Sequence, residues 1–285
     1  MKLLSLRAGR LAVDLAPEAG GSIARFTADG ATDLLRPATP QALASGRGND
    51  AAGYPLVPFS GRIADGRLAF DAEEITLQPN WPGQRHPMHG DGWARPWTIV
   101  RSDGRSAEIE YLHDAKEGWP FRYRARQAYR LDDDALTVGM SLENLEGRTV
   151  PAGLRLHPFF VRDGETQLLC STRSMWRTDA EVLPVERIDV PAQASFTMRR
   201  RIDEVVLDNA FEGWDGKASV SWPQSGLRLE MSASEPFRDV VIFIPPGRPY
   251  FCVEPVSHVP GALGATRLAA DATLQGEILF RVSNL

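Results

Sequence analysis

The stretch LTVGMSLE, residues 136–143, alternates apolar and polar side chains without a break. Leucine, valine, methionine and leucine occupy every second position, and threonine, glycine, serine and glutamate stand between them. The segment ILFRV, residues 278–282, repeats this alternation near the C-terminus. Because successive side chains of a β-strand point to opposite faces of the sheet, a period of two predicts strands with one buried face.

Turn residues separate such runs at short intervals along the whole chain. Asp103-Gly104, Asp132–Asp134 and Ser225-Gly226 each stand between two strand-like runs, as expected for the turns of β-hairpins. The best candidate for a helix, around Gln41 to Ser45, is only a turn or two long. The predicted fold is therefore all-β, a large antiparallel β-sandwich or barrel.

The chain has no Pro/Gly/Ser-rich linker, no shift in composition and no repeat of fixed period. We therefore expect a single domain over residues 1–285, a length that all-β sandwiches often reach as one unit.

The bulk properties restrict the classes of partner. The chain carries a formal net charge of −5, with charges of both signs scattered along it, which excludes nucleic acid or an anionic membrane as the primary partner. We find no signal-peptide-like N-terminus and no stretch approaching the roughly 20 apolar residues that span a bilayer. Cys170 and Cys252 lie in apolar runs, so buried free thiols in a reducing cytoplasm are favoured, with a disulfide as the alternative. We expect a cytoplasmic protein.

The histidines do not form a typical metal motif. His86 and His89 have a spacing that suits zinc on a helix, but Pro87 between them argues against a helix. The sequence has no CxxC, HExxH or G-x-S-x-G motif and no phosphate-binding glycine loop, so we predict no metal and no cofactor. Histidine, glutamate, aspartate and arginine remain, the groups of general acid–base chemistry on a polar substrate. His113, at a polar strand end, is interpreted as a surface residue.

Six segments, in order along nearly the whole chain, resemble motifs of the aldose 1-epimerases, or galactose mutarotases. No single segment is decisive, and the resemblance depends on their number and order. The segments are VPFSGRIADGRL (residues 57–68), HPMHGDGWARPW (86–97), EGWPFRYRARQAYRL (117–131), LENLEGRTVPAGLRLHPFF (142–160), VVLDNAFEGW (205–214) and CVEPVSHVPGALG (252–264).

This resemblance implies both a fold and a function. The fold is a galactose mutarotase-like supersandwich with its site on one sheet face, and the function is an isomerase that interconverts the α and β anomers of an aldose. The resemblance places His157 at the family's general acid and Glu254 at its general base. It places Arg62, His89 and Asp208 at positions that bind the substrate.

These residue types suit the reaction. Mutarotation breaks the bond between the ring oxygen and the anomeric carbon and remakes it on the other face. An acid must protonate the ring oxygen while a base takes the proton of the anomeric hydroxyl. A histidine that titrates near neutrality and a normally ionised glutamate can perform these two tasks without a cofactor.

Two glycines depart from the family pattern. Gly61 stands beside Arg62 where asparagine is usual, and Gly264 stands near another common asparagine. We expect Gly61 to leave space about the size of the missing side chain and to weaken discrimination at one sugar hydroxyl.

The same residues also have simpler structural explanations. His157 is compatible with a core histidine bonded to backbone, Arg62 with an ion pair to Asp65, and Asp208 with an ordinary turn. Glu254 is flanked by apolar residues, and burying an unpaired carboxylate is unfavourable, so a site or an ion pair is favoured there.

Three further aromatic or histidine side chains have open roles. His258 is either a strand-end residue or a partner of Glu254. Trp93 and Trp119 lie in the matched motifs, where either is placed to line a sugar-binding cleft.

Two other functions remain open. A non-catalytic carbohydrate-binding or sensing protein on the same fold is the main alternative. A glycoside hydrolase normally uses two carboxylates, which would leave His157 without a role. The expected partner is a small-molecule sugar, and the sequence leaves open which sugar it is and whether the protein is a homodimer.

Overall fold

The computed structural model describes residues 2–115 and 118–285. Glu117, the first residue of one family-like segment, lies outside the described residues. The described part contains one α-helix, α1 (Pro40–Ala44), and 3-10 turns at Gly48–Asp50, Ala64–Gly66, Gly92–Ala94, Ala192–Ala194 and Leu263–Ala265. Its strands are β1 (Leu4–Ala8), β2 (Leu11–Ala16), β3 (Ser22–Ala28), β4 (Thr32–Asp33), β5 (Gly53–Leu56), β6 (Arg67–Phe70), β7 (Glu73–Thr76), β8 (Thr98–Ser102), β9 (Ser106–His113), β10 (Tyr123–Leu131), β11 (Ala135–Asn144), β12 (Arg155–Val161), β13 (Gln167–Cys170), β14 (Ser174–Thr178), β15 (Pro184–Asp189), β16 (Phe196–Arg201), β17 (Leu207–Glu212), β18 (Lys217–Trp222), β19 (Leu227–Ala233), β20 (Asp239–Ile244), β21 (Tyr250–Val256) and β22 (Thr273–Asn284).

The strands form two large sheets and a small ribbon. The first sheet has 11 strands in the order β1-β2-β3-β5-β12-β21-β20-β17-β14-β15, with β4 paired to β3. The second has nine strands in the order β16-β13-β18-β19-β22-β11-β10-β9-β8, and β6 and β7 form the ribbon. The neighbouring strands pair antiparallel, for example β12 with β21 and β11 with β22, which confirms the all-β antiparallel prediction.

The two large sheets pack face to face on a common apolar core. Phe26 on β3 and Phe160 on β12 belong to the first sheet, and Phe280 on β22 belongs to the second. The ring centroid of Phe280 lies 6.4 Å from that of Phe26 and 6.2 Å from that of Phe160. All three rings are buried, so the sheets form a sandwich whose core is continuous across both layers.

The local pattern of the sequence explains these elements. On β11, the apolar positions 136, 138, 140 and 142 are all buried. The predicted turns at Asp103-Gly104, Asp132–Asp134 and Ser225-Gly226 join β8 to β9, β10 to β11 and β18 to β19. Helix α1 begins after Thr39, whose hydroxyl accepts a hydrogen bond from the N–H of Ala42 at 3.1 Å, and it ends within two turns as expected.

Two strands in the interior of the first sheet present alternate side chains to its two faces. Leu156 on β12 and Val253 on β21 join the common core. Their neighbours in sequence, His157 and Glu254, point to the other face, where they line a cleft. The period of two therefore positions the core and the candidate site at once.

Other expectations meet mixed outcomes. The interpretation of His113 as a surface residue is wrong, because the side chain is buried and both ring nitrogens have partners inside the protein. Cys170 and Cys252 are both free and buried, as favoured from the sequence. Among residues 2–115 and 118–285, no helix has the length and apolar character needed to cross a membrane.

Candidate active site

A cleft of about 290 Å³ opens on the face of the first sheet that is turned away from the common core. Ligand pockets typically measure roughly 300–1,000 Å³, so this cleft fits a small molecule. Strands β5, β12, β14, β17, β20 and β21 contribute to its walls, together with loops near residues 61, 89 and 260. All five residues predicted for the site line it, namely Arg62, His89, His157, Asp208 and Glu254.

Glu254 is fully buried and ion-paired. Its Oε2 accepts a hydrogen bond from Nε of Arg155 at 2.5 Å, and Nη2 of the same guanidinium contacts the same oxygen. Its Oε1 is buried and has no hydrogen-bond partner among the described residues. Burial raises the pKa of Glu254 to about 7, although the charge of Arg155 opposes the rise. A carboxylate with a near-neutral pKa and one free oxygen is suited to accept a proton.

His157 lies directly beside this carboxylate. Its Nε2 is 3.4 Å from Oε2 of Glu254, and its ring stacks on Tyr54 and Phe159 with centroid distances of 4.8 Å and 4.5 Å. Burial, followed by the positive charge of Arg155, lowers the pKa of His157 well below its usual value. The imidazole is therefore mostly neutral at neutral pH, and its protonated form is a strong proton donor.

His89 occupies a tight turn, and its ring is nearly perpendicular to that of His157, with 6.3 Å between the ring centroids. Its φ is +67°, which is uncommon for a residue other than glycine. Nδ1 of His89 accepts a hydrogen bond from the N–H of Gly61 at 3.1 Å. Burial also lowers the pKa of His89 well below its usual value, so the neutral ring carries its proton on Nε2. His89 can therefore donate a hydrogen bond to a ligand.

Arg62 and Asp208 are two charged side chains of the cleft that lack a side-chain partner among the described residues. The alternative pairing of Arg62 with Asp65 does not occur, because Asp65 pairs with Arg85 at 2.6 Å. Arg62 has no side-chain hydrogen bond or ion pair within the described residues, and Asp208, on β17, likewise has no side-chain partner there. Desolvation by the cleft walls raises the pKa of Asp208, although Arg155 and Arg62 oppose the rise.

Arg155 lines the cleft and pairs with Glu254, and the sequence analysis did not single it out. It stands two residues before His157, and on a strand this spacing puts both side chains on one face. The sequence does contain a signal for this contact. An arginine on the same strand face as His157 is a candidate partner for a buried glutamate, which needs a cation nearby.

The tryptophans of the cleft also differ from the expectation. Trp93 and Trp119 are buried in the interior and do not line the cleft. Trp81, which packs on Trp93 at a centroid distance of 4.6 Å, and Trp176 on β14 line it instead. The tryptophans that line the cleft thus come from positions outside the matched motifs.

The expectation of free space at Gly61 is wrong. A Cβ atom added at Gly61 would lie 2.6 Å from Cβ of Pro260, and the φ of +76° also disfavours a side chain. Pro260 therefore fills the place where an asparagine would extend. Gly264 does not line the cleft, and a Cβ there would meet the carbonyl of Ala69 at 2.6 Å.

His258 supports the loop that carries Arg62. Its Nε2 accepts a hydrogen bond from the N–H of Ser60 at 3.4 Å, and its Nδ1 bonds to the carbonyl of Val259 at 2.9 Å. The ring makes no hydrogen bond to Glu254 among the described residues.

Three potential metal ligands come together in the cleft. Donor atoms of His157, Cys252 and Glu254 lie within 4.8 Å of one another. Arg155 pairs with the carboxylate that a cation would need, and burial raises the pKa of the Cys252 thiol well above its usual value. This donor set suits proton transfer better than a divalent ion.

Known proteins share both the sequence pattern and the fold. The sequence profile of the aldose 1-epimerase family matches residues 2–271. This chain belongs to the aldose 1-epimerase family. The protein YphB of Escherichia coli K12 is 32% identical over 268 residues, which cover 91% of this chain and 89% of YphB. An aldose 1-epimerase of the same bacterium is 28% identical over 143 residues, covering 49% of this chain and 40% of that enzyme.

Solved structures agree with this family assignment. The crystal structure of a candidate aldose 1-epimerase from Escherichia coli K12 superposes with a TM-score of 0.91 at 31% identity and covers 100% of this chain and 99% of that one. A galactose mutarotase-like protein from Clostridium acetobutylicum has a TM-score of 0.87 at 17% identity, with 99% and 95% covered, and supports the fold alone. The predicted galactose mutarotase-like sandwich and the family resemblance are confirmed.

The buried ion pair gives a test of stability. We expect Arg155→Met to lower the free energy of unfolding by up to about 1.4 kcal/mol more at pH 8 than at pH 5, because Glu254 loses its cationic partner and must stay protonated at a pH above its wild-type pKa of about 7. Without the guanidinium, the folded-state pKa of Glu254 rises further above its unfolded value. The loss therefore grows as pH increases and shrinks toward pH 5, where the carboxyl is protonated.

Urea denaturation at pH 5, 6.5 and 8 measures this effect. The double variant Arg155→Met/Glu254→Gln is the control and should lose the pH dependence, because no buried carboxylate remains. An equal loss at all three pH values in the single variant would contradict the assignment.

Proposed function

We propose that this protein interconverts the α and β anomers of a free aldose, with Glu254 as general base and His157 as general acid. The observation that carries the proposal is the unpartnered Oε1 of Glu254, held in a cleft beside an imidazole whose Nε2 is 3.4 Å from the same carboxylate. A buried carboxylate oxygen without a hydrogen-bond donor is unfavourable unless a ligand supplies one. The anomeric hydroxyl of a bound sugar is such a donor.

Proton transfer balances over the whole cycle. The His157 imidazolium protonates the ring oxygen as its bond to the anomeric carbon breaks, and Glu254 removes the proton of the anomeric hydroxyl, whose oxygen becomes a carbonyl. Rotation about the bond between the first two sugar carbons then exposes the other face of the aldehyde. On ring closure, the ring hydroxyl returns its proton to His157, and Glu254 returns its proton to the new anomeric oxygen.

The acid–base pair therefore carries one proton throughout. The raised pKa of Glu254 and the lowered pKa of His157 favour the arrangement with that proton on Glu254. Protonated Glu254 beside neutral His157 is also the arrangement present after the ring has opened. The reactive arrangement, an imidazolium beside a carboxylate, is a minor form of the singly protonated pair but a strongly acidic one.

The other cleft residues hold the sugar. His89 donates from Nε2 to a sugar oxygen, Arg62 donates to hydroxyl oxygens, and Asp208 accepts from hydroxyl hydrogens. Trp81 and Trp176 offer aromatic faces to the C–H surface of the ring. These contacts keep the flexible open chain in a geometry from which the ring closes again.

Removal of either group tests the assignment. Glu254→Gln and His157→Asn should each reduce the rate of anomer exchange by roughly 10²–10⁴-fold, because each removes one proton-transfer step. Polarimetry, or NMR exchange between anomers, with a panel of aldoses measures the rate.

Glu230→Gln, an exposed substitution on β19 of the other sheet, is the control and should keep the wild-type rate. Circular dichroism must show an intact fold in each variant. If sugar binds while wild-type protein leaves anomer exchange at the uncatalysed rate, the protein is a binding or sensing module.

The pH profile tests the proton count. Because the pair must hold one proton, kcat/KM should fall as pH rises through about 7, the pKa of Glu254, and decline about tenfold for each further unit. Below pH 7 the activity should persist until His157, with its lowered pKa, also becomes protonated. The measurement is anomer exchange between pH 5.5 and 9, corrected for the uncatalysed rate. A kcat/KM that instead rises through pH 7 to a plateau would remove His157 as the proton donor.

Chelation tests the metal prediction. We expect anomer exchange to survive dialysis against EDTA and to need no added nucleotide or reductant, because Arg155 occupies the carboxylate that a cation would bind. Loss of activity in EDTA, followed by recovery with one specific divalent ion, would contradict the mechanism.

A further inference from the structure

The turn that carries His89 is held in an unfavourable conformation. His89 and the following Gly90 both have positive φ, +67° and +65°. A non-glycine residue keeps such a conformation only where its surroundings fix it. Asp91 comes next, and its N–H donates to the carbonyl of Val57 at 3.1 Å. Because Asp91 directly follows the turn, contacts of its side chain can hold the turn in place.

The carboxylate of Asp91 is buried and surrounded by donors from the second sheet. The hydroxyl of Tyr123 donates to Oδ1 at 2.6 Å, and the hydroxyl of Tyr111 donates to Oδ2 at 2.8 Å. Nδ1 of His113 lies 2.8 Å from Oδ2. The other ring nitrogen of His113, Nε2, lies 2.8 Å from the carbonyl oxygen of Trp119.

These partners favour the doubly protonated form of His113. A backbone carbonyl can only accept, so Nε2 carries a proton, and Nδ1, which lies 2.8 Å from Oδ2 of Asp91 and 3.1 Å from the Tyr111 hydroxyl, carries one when the carboxylate is ionised. His113 is then an imidazolium paired with Asp91 inside the protein. Burial and the charge of Arg95 oppose this form, but the hydrogen bond and charge of Asp91 outweigh them and raise the pKa of His113.

We propose that the Asp91–His113 ion pair, braced by the hydroxyls of Tyr111 and Tyr123, is a positioning device for His89. It ties the turn at residues 89–91 to strands β9 and β10 of the second sheet and so fixes where His89 meets the substrate. None of these four residues lines the cleft, so they act through His89. The kinetic part of this inference rests on the proposed function, in which His89 binds the sugar.

A double-mutant cycle separates positioning from general stability. Asp91→Asn should lower kcat/KM about 10–100-fold, because small displacements of a substrate-holding group are costly. In a His89→Ala background the same change should alter kcat/KM by less than about threefold, since nothing is left to position. If Asp91→Asn lowers kcat/KM by the same factor in the wild-type and the His89→Ala backgrounds, the proposal is overturned.

Two buried tyrosines of β10 give a matched control. The Tyr123 hydroxyl bonds to Asp91, whereas the Tyr129 hydroxyl bonds to Gln127 at 2.7 Å, away from the turn. Tyr123→Phe should reduce kcat/KM in the same direction as Asp91→Asn, and Tyr129→Phe should leave it unchanged. Equal effects of the two substitutions would indicate a general loss of core hydrogen bonding and overturn the proposal.

NMR tests the same inference without any activity. The ¹⁵N signals of His113, assigned with a His113→Gln variant, should show both ring nitrogens protonated at pH 7.5. The Gly61 amide, which donates to His89, should exchange with solvent at least about tenfold faster in Asp91→Asn and unchanged in Tyr129→Phe. If wild-type protein exchanges no anomers, the proposed function fails while these two measurements still decide the positioning role. An unprotonated ring nitrogen on His113, or unchanged Gly61 exchange, would refute it.

Discussion

A carboxylate without any exposed surface is the constraint on which the site depends. An isolated charge at Glu254 would lose its hydration without any compensating interaction. Arg155, from the adjacent strand, compensates with an ion pair and a hydrogen bond. An apolar pair of similar volume would serve stability as well or better. The pair is therefore best explained by chemistry: it holds one carboxylate oxygen in place and leaves the other without a partner.

The sandwich gives this pair a rigid support. Leu156 and Val253 anchor β12 and β21 in the common core, and the residues beside them, His157 and Glu254, face the cleft. A displacement of either of these two side chains would disturb packed core positions one residue away. Close-packed interiors resist such displacements. The alternation that builds the fold thus also restricts the geometry of the proposed acid and base.

Much of this architecture could be predicted because the signals are local. Apolar and polar residues alternate within each strand, and turn residues mark its ends, so strands and hairpins follow from the sequence. The long-range contacts could not be read in this way. Pro260 fills the space beside Gly61 from a distant part of the chain. His113 has polar neighbours in sequence, but Asp91 meets it only in the fold. The five cleft residues were found from the order of family motifs, since no local pattern brings them together.

The balance of charges in the cleft favours a neutral, polyhydroxylated ligand. Arg155 offsets the charge of Glu254, and burial keeps His89 and His157 mostly neutral at neutral pH. Four charged side chains of the cleft then remain outside any ion pair among the described residues, the cations Arg36 and Arg62 and the anions Asp50 and Asp208. Sugar hydroxyls both donate and accept, so one ring can satisfy a cationic donor and an anionic acceptor at once. A ligand of a single strong charge would be attracted by the groups of one sign and repelled by those of the other, which is why a neutral ring suits this cleft better.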